Sequence, residues 1–188
     1  MIRDVLDFWF CDGRDGTREI WFQRDDAFDA EIRACFGELV VPAREGRLDA
    51  WADTPEGALA LTLVLDQFPR NLFRGSPEAF ASDTPALALA RRVIQERTDL
   101  RMTPTERGFA YLPFEHSESM AAQNEAVVVF EGLRDVPRAA EPGGTIDYAW
   151  RHWHIIRRYG RFPHRNAVLG RESTPAELAY LARPGAGF

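Results

Sequence analysis

Five Ser-Pro or Thr-Pro pairs are spread along the chain, and each has the pattern of a helix start. A hydroxyl at the N-cap accepts a hydrogen bond from an otherwise unpaired amide, while Pro at the first helical position lacks only an N–H that has no partner there. Two pairs are followed by a glutamate at the third helical position, Glu106 and Glu177, which completes a capping box. The pairs are Thr54-Pro55, Ser76-Pro77, Thr84-Pro85, Thr103-Pro104 and Thr174-Pro175. Their number predicts many short helices.

Hydrophobic periodicity also predicts helices. Phe28, Ile32, Phe36 and Leu39 recur at helical spacing, and alternation of the kind that strands show is hard to find. Pro42 is expected to kink or end the helix in which it lies. We expect helices at roughly 2–10, 24–45, 55–67, 77–82, 85–97, 104–111, 117–133, 146–159 and 175–182. The 188 residues, 45% of them hydrophobic, are enough for one core, so we predict a single all-α domain over residues 1–188 with about nine helices in antiparallel pairs.

Composition excludes several classes of function. All 23 basic residues are Arg, so a lysine Schiff base, a lysine general base and a phosphate-loop lysine are excluded. Cys11 and Cys35 are too few for a disulfide framework or a thiolate metal site. The longest aliphatic stretch, 58–65, is far shorter than the roughly 20 residues that span a bilayer. Acids near the N-terminus disfavour a secretory signal, so we expect a cytoplasmic protein that is not in a membrane.

Two segments about 94 residues apart resemble each other. Residues 66–77 and 160–175 share the order Phe-Pro, then Arg-Asn, then Gly, then a hydroxyl-Pro pair. Because Pro disfavours helix in the residue before it and Asn tolerates the left-handed conformation, we predict that each segment ends a helix at Phe-Pro and turns through Arg-Asn. The chain then contains two related helix-turn-helix junctions.

The same motifs resemble those of an uncharacterised bacterial family known as domain of unknown function 924. The resemblance covers nearly the whole chain, with Tyr159 and Leu112 as mild departures from the expected Phe and Met. It implies an all-helical fold similar to the right-handed arrays of tetratricopeptide repeats, and no established activity. The motifs that carry it are Leu6–Phe10, Leu65–Asn71, Tyr111–Glu118, and Gly160–Asn166 with Leu169–Arg171.

The two Arg-Asn turns are candidate anion-binding elements. Between residues 151 and 171 there are six Arg, three of the four His and no acid, although the chain has a net charge of -6. If both turns face one groove, Arg70 and Arg165 could hold a carboxylate or phosphate bidentately. The alternative is that these Arg bond helix-end carbonyls or pair with acids. The candidate ligand-binding residues are Arg70, Asn71, Arg74, Arg161, His164, Arg165 and Asn166.

A second candidate site is the cluster Glu115-His116-Ser117-Glu118. A carboxylate beside His116 is typical of acid-base chemistry, and His152, which the helical stripe with Ile156 turns inward, could join it. A metal site would need further ligands, so we predict none. Helix capping and buried hydrogen bonding are the structural alternative. The candidate catalytic residues are Glu115, His116, Glu118 and His152.

Nucleotide-binding glycine motifs, a phosphate loop and the GxSxG motif of serine hydrolases are absent from the sequence. We therefore expect a binding or adaptor protein whose concave groove takes an anionic small molecule or an acidic peptide, without a cofactor. The net negative charge disfavours nucleic acid. An enzyme that uses the Glu/His cluster as an acid-base or metal site, with Arg orienting an acidic substrate, is the first alternative, and a purely structural role of the charged motifs is the second. The ligand and the oligomeric state stay open.

Overall fold

The computed structural model describes residues 1–11 and 18–187, and these residues form helices and turns without a strand. The predicted all-α class is confirmed. No helix in the described ranges is long and apolar enough to cross a membrane. The α-helices are α1 Ile2–Phe10, α2 Asp26–Phe36, α3 Val40–Arg44, α4 Pro55–Thr62, α5 Phe68–Leu72, α6 Asp83–Gln95, α7 Pro104–Glu115, α8 Met120–Glu131, α9 Pro137–Ala140, α10 Thr145–Tyr159 and α11 Pro175–Leu181.

Three of the five predicted hydroxyl-Pro starts cap helices with their side chains. The Thr54 hydroxyl accepts a hydrogen bond from the amide of Gly57, and Thr103 and Thr174 form reciprocal capping boxes with Glu106 and Glu177. The Thr84-Pro85 prediction is wrong by two residues, because α6 begins at Asp83 and takes Thr84 into its first turn. Pro77 begins a single 3-10 turn, Pro77–Phe80, in place of the predicted helix.

Two of the prolines inside helices, Pro69 and Pro113, lie where the sequence predicted helix ends. The first Phe-Pro motif does not end a helix, since α5 continues through Pro69 to Leu72. A π turn, Leu63–Gln67, precedes it and widens the helix where the proline ring would otherwise meet a carbonyl. Arg70 Nη1 then donates to the Asp66 carbonyl at 2.6 Å. Likewise, α7 continues past Pro113 to Glu115.

The second Phe-Pro motif behaves as predicted. Helix α10 ends at Tyr159, and Gly160 adopts φ +71° with its amide bonded to the Ile156 carbonyl. Pro163 then begins a 3-10 turn, Pro163–Arg165, that turns the chain. The predicted loop between 135 and 145 contains the short helix α9. The predicted helix 24–45 is interrupted by a 3-10 turn, Gly37–Leu39, before Pro42.

The chain divides into two compact units. The first comprises Met1–Arg74 and Glu78–Pro113, and the second Gly75–Pro77 and Phe114–Phe188. The first unit packs aromatic rings around Trp9, which is fully buried and lies 5.8 Å from Phe68 and 5.6 Å from Phe109 between ring centroids. Phe22 lies outside this aromatic core and is 68% exposed. The single domain over residues 1–188 stays a prediction.

In the second unit, α8 and α10 pack against each other. Trp150 Nε1 donates to Glu131, and Trp153 Nε1 donates to Asn124. The later residue of α10 thus pairs with the earlier residue of α8, so the two helices are antiparallel. Phe130 and Ile156 are buried in this unit. The pair turns one side of α10, which carries His152, toward the interior.

Candidate functional site

A carboxylate and an imidazole meet in the interior of the second unit. Glu115, the last residue of α7, has Oε1 at 3.1 Å from Nδ1 of His152 on α10, and the two residues are 4% and 5% exposed. The same Nδ1 lies 2.9 Å from the carbonyl oxygen of Tyr148. Burial, and after it the charges of the neighbouring His116 and Arg165, lower the pKa of His152 to about 2. His152 is therefore neutral, and its Nδ1 proton lies between two acceptor oxygens.

Three basic side chains contact the buried ring of Phe162, and a fourth, His116, lies beside one of them. We call His116, His152, His164 and Arg165 the basic cluster. Ring centroids lie 6.2 Å apart for His116 and His152, and 5.5 Å from Phe162 for both His152 and His164. The Arg165 guanidinium carbon lies 4.6 Å from the Phe162 centroid, within the range of a cation-π contact. His152 and Arg165 are buried, whereas His116 and His164 are half-buried and give solvent a route to the cluster.

Arg165 sets the electrostatic potential of the cluster. It is only 6% exposed, at the end of the 3-10 turn Pro163–Arg165. Burial, and after it the charge of Arg165, lowers the pKa of His164 to about 4. The same charge helps to lower the pKa of His152 and of Glu118. One guanidinium thus lowers the pKa of three neighbouring groups, which is the effect of a positive charge beside them, while Glu118 opposes that effect at His164.

Glu118 and Arg171 hold the segment that carries Arg165. The Phe162 amide donates to Glu118 Oε1 at 2.7 Å, and Arg171 donates to both Glu118 oxygens at 2.7 and 2.9 Å. Burial alone would raise the pKa of Glu118, but these hydrogen bonds hold that pKa below its usual value. Asn166 accepts from Arg171 and donates to Ser173. The predicted catalytic Glu118 and the predicted ligand-binding Asn166 thus bond to protein groups and position the turn.

Arg161 bonds to protein groups as well. Its guanidinium donates to both oxygens of Glu177, at 2.7 and 2.9 Å, and to the Glu172 carbonyl at 2.7 Å. The hydrogen bonds of Arg161 lower the pKa of Glu177 to about 2. An open cleft of about 460 Å³ adjoins this pair and is also lined by Arg158, Tyr159, Thr174 and Ala176. These contacts match the structural alternative for Arg161.

The Arg-Asn turn of the first unit is paired with carboxylates. Arg70 donates to Asp83 at 2.9 Å and has Asp66 Oδ1 at 3.4 Å. Asn71 and Arg74 both donate to Asp29. These contacts favour structural roles for Arg70, Asn71 and Arg74. Since Arg70 belongs to the first unit and Arg165 to the second, a groove that both would line stays a prediction.

Two residues of the site were missed by sequence reasoning. Phe162 appeared only as part of a helix-ending motif, and its ring contacts three of the four members of the basic cluster. Arg171 lay within the Arg-rich segment but was not selected, because its partner Glu118 is 53 residues away. Within residues 1–11 and 18–187, no group of three or more His, Cys, Asp or Glu has the arrangement of a metal site.

The fold and the cluster define an all-α protein with a buried basic cluster against a Glu-His pair in its second unit. Residues 5–185 match the family described as "Bacterial protein of unknown function (DUF924)", and the chain belongs to this family, as the motifs indicated. A similar solved structure is that of a protein of unknown function, ATU0120, from Agrobacterium tumefaciens. It shares 39% identity over 96% of both chains, with a TM-score of 0.86. No curated protein matches the chain.

Proposed function

We propose that this protein binds an anionic group, a carboxylate or a phosphate of a small molecule or an acidic peptide, at the basic cluster of its second unit. The observation that carries the proposal is the buried guanidinium of Arg165 against the Phe162 ring, which His152 and His164 also contact, with His116 beside His152. A guanidinium away from bulk water attracts an anion more strongly than an exposed one does, because the surrounding dielectric constant is lower. His116 and His164, which are half-buried, are the groups that an entering anion would meet first.

The imidazoles make such binding dependent on protons. A neutral imidazole has one N–H donor, whereas the protonated ring has two and a positive charge. An anion beside His164 opposes the effect of Arg165 and raises the pKa of that histidine, so binding and protonation reinforce each other. Of the seven ligand-binding residues expected from the sequence, His164 and Arg165 belong to this proposal. The other five have the protein partners described above.

The test measures binding of inorganic phosphate and of malonate by isothermal titration calorimetry, in parallel with thermal unfolding. Arg165→Gln should weaken binding by about tenfold or more, since a charge-assisted hydrogen bond contributes about 1.5–3 kcal/mol. The matched control is Arg157→Gln, because Arg157 stacks on Trp153 outside the cluster. His164→Gln is the second variant, in case Arg165→Gln does not fold. If neither anion binds the parent, or if both cluster variants bind like the control, the proposal fails.

A second candidate function is acid-base catalysis. It is favoured by the contact between Glu115 and His152, because a proton held on Nδ1 leaves the lone pair of Nε2 as a proton acceptor. The pKa of about 2 makes His152 a weak base, so this candidate ranks below anion binding. Chromogenic phosphate and carboxylate esters are suitable probes. Turnover that Glu115→Gln lowers about a hundredfold, with the fold retained, would support catalysis by this pair. Turnover that is unchanged in Glu115→Gln would exclude the pair as its source.

A further inference from the structure

The chain after α11 returns toward the basic cluster. The Ala186 amide donates to the Arg183 carbonyl at 3.1 Å and closes a turn. The amide of Gly187 then donates to the hydroxyl oxygen of Tyr180 at 3.2 Å. This hydrogen bond links the segment back to the last turn of α11. We call residues 183–187 the C-terminal strap.

The strap ends against the imidazole of His164. A Cβ built on Gly187 would lie 3.2 Å from Cβ and 3.5 Å from Cγ of His164, so His164 or the strap would have to move by a few tenths of an ångström to admit it. Gly187 also has φ +88°, a conformation that residues with a Cβ rarely adopt. Two independent features therefore favour glycine at this position. The close approach places the backbone of the strap over one of the two half-buried histidines of the cluster.

We propose that the C-terminal strap covers His164 and controls the access of an anion to the basic cluster. This inference rests on the proposed function for the identity of the ligand, but the covering of His164 does not. An anion that approaches His164 must displace the Gly187 backbone or pass beside it.

The exposure of the strap makes it suited to opening. Residues 182–185 are exposed, and residues 186 and 187 are half-buried. Segments with exposed backbone and few apolar contacts open at low free-energy cost. When only the open state is competent, the apparent dissociation constant equals the intrinsic value divided by the open fraction. A variant that holds the strap open should thus bind anions more tightly than the parent.

The experiment uses the full chain and the substitution Gly187→Ala, which adds a Cβ close to the His164 side chain. Gly143→Ala is the matched control, since Gly143 has φ +80° and its Cβ would meet nothing within 4 Å. The first readout is modification of His164 by diethyl pyrocarbonate, followed by peptide mass spectrometry. The exposed His154 serves as the internal standard. The second readout is the dissociation constant for inorganic phosphate.

We expect Gly187→Ala to raise the modification rate of His164 relative to His154, and to tighten phosphate binding, by about fivefold or more. Tyr180→Phe, which removes the oxygen that accepts from Gly187, should act in the same direction. Equal modification rates in the parent, Gly187→Ala and Gly143→Ala would overturn the strap, even if phosphate binds. Faster modification of His164 with the phosphate constant unchanged would overturn its control of access. Faster modification without phosphate binding to any form would leave the covering of His164 supported and would refute the anion site.

Discussion

Acidification from pH 7.5 to pH 5 should destabilise the fold, because two histidines that are neutral in the folded protein take up protons when it unfolds. Burial lowers the pKa of His152 to about 2 and that of His164 to about 4. In the unfolded chain both return to about 6.5. The unfolded state thus binds more protons in this window, and the free energy of unfolding falls as the pH falls.

Each histidine lowers the free energy of unfolding by about 2 kcal/mol over this window, which gives about 4 kcal/mol for the pair. Glu118 and Glu177 add little there. Their lowered pKa values make those groups destabilise the fold only as the pH drops below about 4.5, their usual range. The interval from pH 7.5 to pH 5 therefore separates the effect of the two histidines from that of these two carboxylates.

Urea denaturation followed by tryptophan fluorescence at pH 7.5, 6 and 5 measures this dependence. His164→Gln and His152→Gln should each reduce the loss of stability between pH 7.5 and pH 5 by about half. His154→Gln is the control, because His154 is exposed and should leave the loss unchanged. If the parent loses less than about 1 kcal/mol over this range, the inference that these imidazoles are neutral in the folded state is wrong.

Three further substitutions test local features of the fold. Arg70→Ala leaves a buried carboxylate without its cation and should cost about 3 kcal/mol in urea denaturation. Arg24→Ala, at an exposed ion pair, should cost much less, and equal costs would contradict the pairing of Arg70. Thr174→Ala should cost about 1 kcal/mol through loss of the capping box, and Thr84→Ala, inside the first turn of α6, should cost less; the reverse order would refute the helix starts described here. Gly57→Ala would bring a Cβ to 1.9 Å from a backbone oxygen and should lower the melting temperature by about 10 °C or more, so a variant as stable as the parent would show that the contact is wrong.

The helix starts could be predicted because capping is local. The groups that make the first side-chain hydrogen bonds of a helix lie within four positions of one another: a hydroxyl, a proline and a glutamate. The helix starts at Thr103 and Thr174 are examples. The path through Pro69 could not be predicted in the same way. It depends on a π turn before the proline, and the residues of that turn have no pattern that distinguishes them from an ordinary helix.

The candidate site was predictable in its parts but not in its assembly. The stripe that His152 shares with Ile156 indicated that the imidazole faces inward, and it is buried. Its contact with Glu115 joins two helices that are separate in sequence, so no spacing rule contains it. Arg70 and Arg165 occupy matching motif positions, yet Arg70 pairs with Asp83 and lies over Phe80, whereas Arg165 lies over Phe162. Charge partners depend on tertiary structure, and similar local motifs do not determine them.

The side-chain amide of Gln123 fixes the position of Glu115, although Gln123 is not a member of the basic cluster. Gln123 lies on α8 and is fully buried. Its Nε2 lies 2.6 Å from the Glu115 carbonyl oxygen, 2.7 Å from that of Ser117 and 3.4 Å from that of Phe114. One amide thus serves the orphan oxygens at the end of α7. A glutamate there would present oxygens to oxygens, and a methionine would leave the carbonyls without a donor. The position of Glu115 beside His152 consequently depends on Gln123, a residue that carries no charge and takes no part in the candidate chemistry.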